Sequence, residues 1–287
     1  MARTVDSHQH FWDTTNGRVD YYWMSAEFDA ITGVRGPEQL RPLIAAAGID
    51  RTVSVQAIGS LEETIFLLET AEATDFVAGV VGWVDLPDPA VSDTIAALRD
   101  RPDGRWLKAI RHQVHDEADA EWLLRADVRR GLKAVEQAGL AYDILVRSRE
   151  LPSALETVRE FPDSRFVVDH IAKPNIKAGE VEPWVSRMRP LADHPNVSVK
   201  VSGMITEADW ARWTPDDLRP YVQRLLEWFG PQRLMFGSDW PVCTVAGTYG
   251  QVKDAAVSAL GDLSDEDRDW VFGRTATVAY QLAEGGG

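Results

Sequence analysis

The sequence predicts a (β/α)8 TIM barrel with an extended loop after strand 1 and an additional C-terminal helix. Two observations predict it: eight short runs rich in β-branched residues recur along the chain, and segments of helical periodicity separate them. Strands alternating with helices of this length form βαβ units and a parallel sheet, and eight such units close into a barrel. The 287 residues suit one such domain over the whole of 1–287.

The runs are Arg3 to His8, Arg51 to Gln56, Phe76 to Asp85, Trp106 to His112, Ala141 to Arg147, Arg165 to Ile171, Val197 to Ser202 and Leu234 to Asp239. Helical periodicity covers Glu38 to Ala47, Glu62 to Ala73, Ala90 to Arg99, Arg129 to Ala138, Glu150 to Phe161, Glu182 to Ala192, Asp216 to Phe229 and Gln251 to Leu260. Pro37, Pro89, Pro152, Pro183 and Pro215 fall at or near first turns, where a missing N–H costs little. Gly48, Gly139 and Gly230 follow helices, as residues that end a helix in a left-handed conformation do. Ser264 to Leu282 begins with a capping serine and an acidic first turn, so it reads as a last helix, and Gly285 to Gly287 as a frayed end.

The longest connection, Phe11 to Gly36, carries Phe11, Trp12, Tyr21, Tyr22, Trp23 and Phe28, too aromatic for a disordered linker. Following a strand, it lies on the face where barrel enzymes build their sites. It suits a lid over a substrate, with Trp23 as a contact, and equally a plug of the barrel mouth or a homodimer interface.

A net charge of −15 argues against nucleic acid and anionic membrane as partners, since both require a basic surface. No apolar run approaches the ~20 residues that span a bilayer, and Met-Ala-Arg-Thr leads into a strand without a signal-like segment. A cytoplasmic protein is the expectation. The single cysteine, Cys243, excludes an intrachain disulfide and reads as a buried small hydrophobe.

The residues ending each run are polar throughout. The first ends His8-Gln9-His10, and two imidazoles two residues apart on an extended segment point the same way. The others end at Gln56, Trp83 with Asp85, Arg111-His112, Arg147, Asp169-His170 with Lys173 beyond, Lys200 with Ser202, and Ser238-Asp239-Trp240. Four of the six histidines lie in or just after these runs, more than random placement gives. Plainer roles compete at each position. Asp239 could cap a turn, His170 could sit in the core with Asp169 pointing away, and Arg111 could pair with Asp143 or Asp169. Lys200 shares a face with Ser198 and Ser202 and belongs inside the barrel, where a charge needs a partner. His115 reads as a loop residue, and His194 as solvated at the opposite end.

Asp-Ser-His-Gln-His-Phe-Trp (6–12), Val-Gln-Ala (55–57), Gly-Trp-Val-Asp-Leu (82–86), Ile-Arg-His (110–112), Val-Asp-His-Ile-Ala-Lys-Pro (168–174), Lys-Val-Ser-Gly (200–203) and Leu-Met-Phe-Gly-Ser-Asp-Trp-Pro (234–241) occur in this order. Together they resemble the amidohydrolase superfamily of metal-dependent hydrolases. The resemblance is greatest to its sugar-acid and muconate-type lactonase branch, the L-fuconolactonase- and L-rhamnonolactonase-like proteins. It implies that His8 and His10, with Asp239, are metal ligands, and that Asp239 and His170 are catalytic. The fifth run has no histidine and the fourth no clear bridging carboxylate. This implies at most one divalent ion, Zn²⁺ or Mn²⁺, and leaves a metal-free site open.

Lactone hydrolysis is acyl transfer to water. It needs a base, stabilisation of the forming oxyanion and an acid for the departing alkoxide. Asp239 is the expected base, with the carbonyl polarised by His8, His10 and His170 or by one metal they hold. Gln56, Trp83, Arg111, Lys173 and Trp23 are expected to contact a small sugar-acid lactone. Alternatives on the same scaffold are a pyrone- or muconate-type dicarboxylate lactonase, a lactone isomerase, a metal-dependent decarboxylase, or a barrel that only binds a sugar acid.

Overall fold

The computed structural model describes residues 3–283, so the Gly285 to Gly287 tail lies outside them. Eight parallel strands form one sheet in chain order: β1 (Val5–Gln9), β2 (Arg51–Val55), β3 (Val77–Gly82), β4 (Leu107–Gln113), β5 (Ala141–Leu145), β6 (Phe166–Val168), β7 (Val197–Val201) and β8 (Leu234–Phe236). The seam between the ends closes by backbone hydrogen bonds, Asp239 N–H to the His8 carbonyl at 2.8 Å and His10 N–H to the Trp240 carbonyl at 2.7 Å. The predicted barrel is therefore the observed one.

Helices α1 (Pro37–Ala47), α2 (Leu61–Glu72), α3 (Val91–Asp100), α4 (Ala126–Gln137), α5 (Leu151–Glu160), α6 (Trp184–Met188), α7 (Pro215–Phe229) and α8 (Tyr249–Leu260) fall where the periodicity placed them. The sixth is shorter than expected. Its second half, Arg189–Asp193, tightens into a 3-10 turn at Pro190, which has no N–H to continue the helix. The C-terminal helix is interrupted: α9 (Asp265–Asp269) passes through a π turn, Trp270–Arg274, into α10 (Thr275–Ala279).

Strand alternation sorts the residues into layers. Outward side chains such as Ile110, Ile144, Val168 and Val199 pack under the helices in the main core. Inward, Val81, Ala109, Ala141, Val167 and Met235 form an apolar floor, plugged from below by Ala276, Ala279 and Tyr280. Two residues further along β4, β5 and β6, the same inward face carries Arg111, Asp143 and Asp169, all buried. The site thus stands on an apolar layer that excludes water from below.

The Phe11 to Gly36 loop folds on itself. Trp12–Asp13 pairs antiparallel with Val34–Arg35, and Ala26–Ile31 forms a 3-10 turn. Trp12 packs against Trp23 at 5.9 Å between ring centroids, Trp23 against Phe28 at 5.3 Å, and Phe28 against Trp210 beyond β7 at 5.9 Å. This aromatic chain anchors the loop over one side of the barrel mouth. No described helix is long and apolar enough to cross a membrane.

Candidate active site

The seam that closes the barrel also assembles the site. Buried Asp6 accepts from the Ser238 N–H at 2.9 Å and the His8 N–H at 3.1 Å, while its other oxygen takes the Tyr249 hydroxyl at 2.9 Å. One carboxylate therefore ties β1 to the segment after β8, although burial pushes its pKa up to about 6. Around that seam, Asp239 Oδ1 lies 3.3 Å from His10 Nε2, 3.8 Å from His8 Nε2 and 3.9 Å from His170 Nε2. The three imidazoles and one carboxylate expected from distant segments meet at one point.

Two backbone features deliver these groups, and neither shows in strand periodicity. His170, Ile171, Ala172 and Lys173 all have positive φ, between 47° and 59°, and Asp239 has φ 58°. Such a left-handed run is costly for non-glycine residues and persists only where its surroundings enforce it, commonly at functional sites. It ends β6 at Val168, three residues earlier than expected, and swings His170 toward Asp239. Gly203 makes room: a Cβ there would lie 2.5 Å from His170 Nδ1, and its own φ is +62°. Ser202 Oγ holds that same nitrogen at 2.9 Å.

His10 Nδ1 lies 2.7 Å from the Val55 carbonyl, an acceptor only, so this nitrogen carries the proton. His10 Nε2 then faces Asp239 Oδ1 and His8 Nε2, each at 3.3 Å. Facing lone pairs at that distance require a proton or a cation between them. Burial holds His8 and His170 well below the usual histidine pKa, leaving neutral rings suited to metal ligation. Donor atoms of His8, His170 and Asp239 all lie within 4.8 Å of one another, so the residues fit one divalent metal, with His10 adjoining. Burial works to raise the Asp239 pKa; a proton on His170 or His10, or a cation in its place, together with Lys173 works the other way, and the carboxyl sits below its ordinary value. It is ionised at neutral pH.

Beneath the imidazoles runs a buried ionic network. Lys200 Nζ contacts Asp143 Oδ2 at 2.6 Å, Asp169 Oδ1 at 2.9 Å and His8 Nδ1 at 3.1 Å. Arg111 contacts Asp169 at 2.7 Å and His8 Nε2 at 3.3 Å. Tyr280 from the C-terminal segment donates to Asp143 at 2.8 Å. Burial pushes the Asp169 carboxyl up, but Lys200, His8 and Arg111 override it and hold it well below the usual range. The expectation that Lys200 lies inside the barrel with a partner is met, and Arg111 does pair with Asp169. Asp169 points inward toward His8, continuing the face of Val167, and the left-handed run just after it brings His170 round to the same side.

Above the imidazoles opens a cavity of about 410 Å³ whose walls include Trp23, Arg111, Arg147, Lys173, His170 and Asp239. Gln56 and Trp83 do not line it. Gln56 turns to Gln113 at 2.9 Å and its carbonyl receives Arg111, so it fixes Arg111 in place. Trp83 donates to His112 Nδ1 at 3.1 Å, and His112 in turn stacks on Trp122 and binds Glu117 at 2.8 Å. Both lie at the sheet margin, where one step of strand parity turns a side chain from the cavity.

His115 lies in the turn after β4, as its reading as a loop residue expects, and it also lines the cavity. Burial, Lys173, Arg147 and Arg111 drive its pKa down to about 3. Asp116 and Glu207 also line the wall, Glu207 as an ion-pair partner of Lys173. These residues lie in loops beyond the strand ends, so reading only the last residues of each strand passes over them. Cys243 is fully buried, as expected of a small hydrophobe.

Barrel and site define an amidohydrolase-type TIM barrel, in which strand ends present histidines around a carboxylate. The chain belongs to the amidohydrolase family, whose profile matches residues 5–282. It is 43% identical over 252 residues to an L-fucono-1,5-lactonase of Burkholderia ambifaria, covering 87% of this chain and 84% of that protein. Identity to an L-fucono-1,5-lactonase of Burkholderia multivorans is 38% over 294 residues, 99% of this chain and 97% of that one. A crystal structure of a Burkholderia multivorans amidohydrolase with bound zinc superposes with a TM-score of 0.89 at 37% identity, covering 98% of this chain and 100% of that one.

Proposed function

We propose that the protein is a lactonase that opens a small sugar-acid lactone of the L-fucono-1,5-lactone type by attack of water on the ester carbonyl. The observation that carries the reading is the ring of three imidazole nitrogens within 3.9 Å of one Asp239 oxygen, at the base of a cavity whose walls carry both cationic and carboxylate side chains. The L-fucono-1,5-lactonase relatives supply the substrate class.

Asp239, ionised and water-accessible only through the cavity, takes a proton from the attacking water. Arg111, which lines the cavity beside His8, donates toward the carbonyl oxygen as negative charge develops on it, and the facing nitrogens of His8, His10 and His170 are placed to hold a cation at the same point. As the tetrahedral intermediate collapses, the ring C–O bond breaks and Asp239 returns the proton to the departing alkoxide. A single divalent metal, Zn²⁺ or Mn²⁺, held by His8, His170 and Asp239 with His10 adjoining, would supply Lewis-acid polarisation of the carbonyl. Its presence leaves the proton-transfer role of Asp239 unchanged.

Arg147, Lys173 with Glu207, and Asp116 offer the donors and acceptors that a polyhydroxylated ring requires, and Trp23 closes one side. In this reading the enzyme acts in the cytoplasm on a small molecule, and nucleic acid has no role.

The experiment is a panel of aldonolactones of both ring sizes, with hydrolysis followed by proton release against the spontaneous rate. Opening of an L-fucono-configured lactone well above that rate supports the proposal. Acceleration of none of the panel overturns it.

A further inference from the structure

A second cavity, of about 290 Å³, lies at the foot of the barrel, where β4, β5 and β6 begin. Its lining includes Arg99, Arg101, Arg105, Lys108 and Arg165 and, among the described residues, no aspartate or glutamate, in a chain whose net charge is −15. Two of these cations are neutralised nearby, Arg101 by Asp103 at 2.9 Å and Arg105 by Glu72 at 2.6 Å. Arg99, Lys108 and Arg165 make no ion pair among the described residues.

The three are nonetheless held in place. Arg99 donates to the Ala138 carbonyl, and Arg165 donates to those of Ala279 at 3.0 Å and Gly139 at 2.6 Å, which fixes both guanidinium planes. Lys108 lies on β4 where the pairing with β3 is irregular, and its stem crosses Gly79 of that strand, where a Cβ would lie 2.6 Å from Lys108 Cγ. Gly79 therefore leaves the space that lets a half-buried ammonium reach the cavity. Lys108 and Arg165 are partly buried and Arg99 is exposed, and like charges gathered without counter-charge among the described residues repel one another unless an anion completes them. Two oriented guanidinium forks and an ammonium match the oxygens of a phosphate group.

We propose that this basal cavity binds a small phosphate-bearing anion. Its volume is close to the lower end of ligand pockets, ~300 Å³, which accommodates phosphate alone or phosphate on a short polyol. The site is separate from the catalytic cavity and shares no lining residue with it.

Calorimetric titration of the full chain with inorganic phosphate, and separately with a hexose 6-phosphate, tests the proposal. We expect one saturable site per chain at millimolar ligand or below, weakened roughly tenfold or more by Lys108→Met or Arg99→Gln, the scale of one charge-assisted contact. Binding is expected to persist in Asp239→Asn. Melting temperatures confirm that each variant is folded, and the Arg99 variant decides should the Lys108 variant not fold. Preference for the hexose phosphate assigns the polyol to the site, and equal or tighter binding of inorganic phosphate assigns the free anion. The proposal is overturned if neither ligand saturates, if neither folded variant weakens binding, or if Asp239→Asn abolishes it.

Discussion

The backbone N–H of Asp239 donates to the carbonyl of His8 at 2.8 Å, so the carboxylate and the first imidazole are positioned by the same bond that closes the barrel. A substitution that keeps this bond and removes only the charge isolates the chemistry. Asparagine tolerates the φ of 58° at this position better than most residues do. Asp239→Asn should therefore leave melting nearly unchanged and lower turnover by roughly a hundredfold or more, the range for loss of a general base. Turnover close to wild type would remove Asp239 from the mechanism.

Lys200 is fully buried between Asp143 and Asp169. Removing one member of a buried ionic cluster leaves the others uncompensated, at a cost of about 3–5 kcal/mol. Lys200→Met should show that loss in denaturant unfolding, and adding Asp143→Asn should recover part of it, because Asp169 keeps Arg111. A single variant as stable as wild type would mean that the cluster contributes nothing to folding.

The barrel and its site were legible in the sequence to different depths. Runs of β-branched residues placed all eight strands, period-two alternation put Lys200 inside, and the His8/His10 pair followed from the same rule. The approach of His170 to Asp239 depends on a left-handed run, His170–Lys173, that no propensity signals for residues such as isoleucine and alanine. Strand-end reading also brought in Gln56 and Trp83, whose partners are Gln113 and His112 on the adjacent strand. His115 and Glu207 went unrecognised because their positions depend on loops that fold back over the mouth, set by tertiary packing.

Metal stoichiometry follows from the donor set. Among the described residues one group of three donors is close enough to share an ion: His8, His170 and Asp239. Where a second metal would need further ligands, the site holds Lys200 and Arg111, which repel a cation. Elemental analysis of protein exchanged into Zn²⁺ or Mn²⁺ and desalted should give no more than one ion per chain, and His8→Ala should remove it. Two ions per chain would mean that β4 or β5 contributes ligands not recognised in this arrangement.

Glu63, on the first turn of α2, joins the wall loop to the barrel. One carboxylate oxygen accepts the N–H groups of Ala57 at 2.9 Å and Ile58 at 3.0 Å, while the other has no hydrogen-bond partner among the described residues. Burial pushes its pKa from 4.5 up to about 8, against the lowering effect of those bonds. Between these values the folded chain retains a proton that the unfolded chain has released, so stability falls as pH rises through the window and levels off above it. Glutamine preserves the doubly accepting oxygen and carries no titrating charge. Glu63→Gln should therefore gain stability relative to wild type as pH rises from about 5 to 8.5 in denaturant titrations, with the smallest difference at the acidic end. A difference that is constant across that range would show that Glu63 titrates normally in the folded protein.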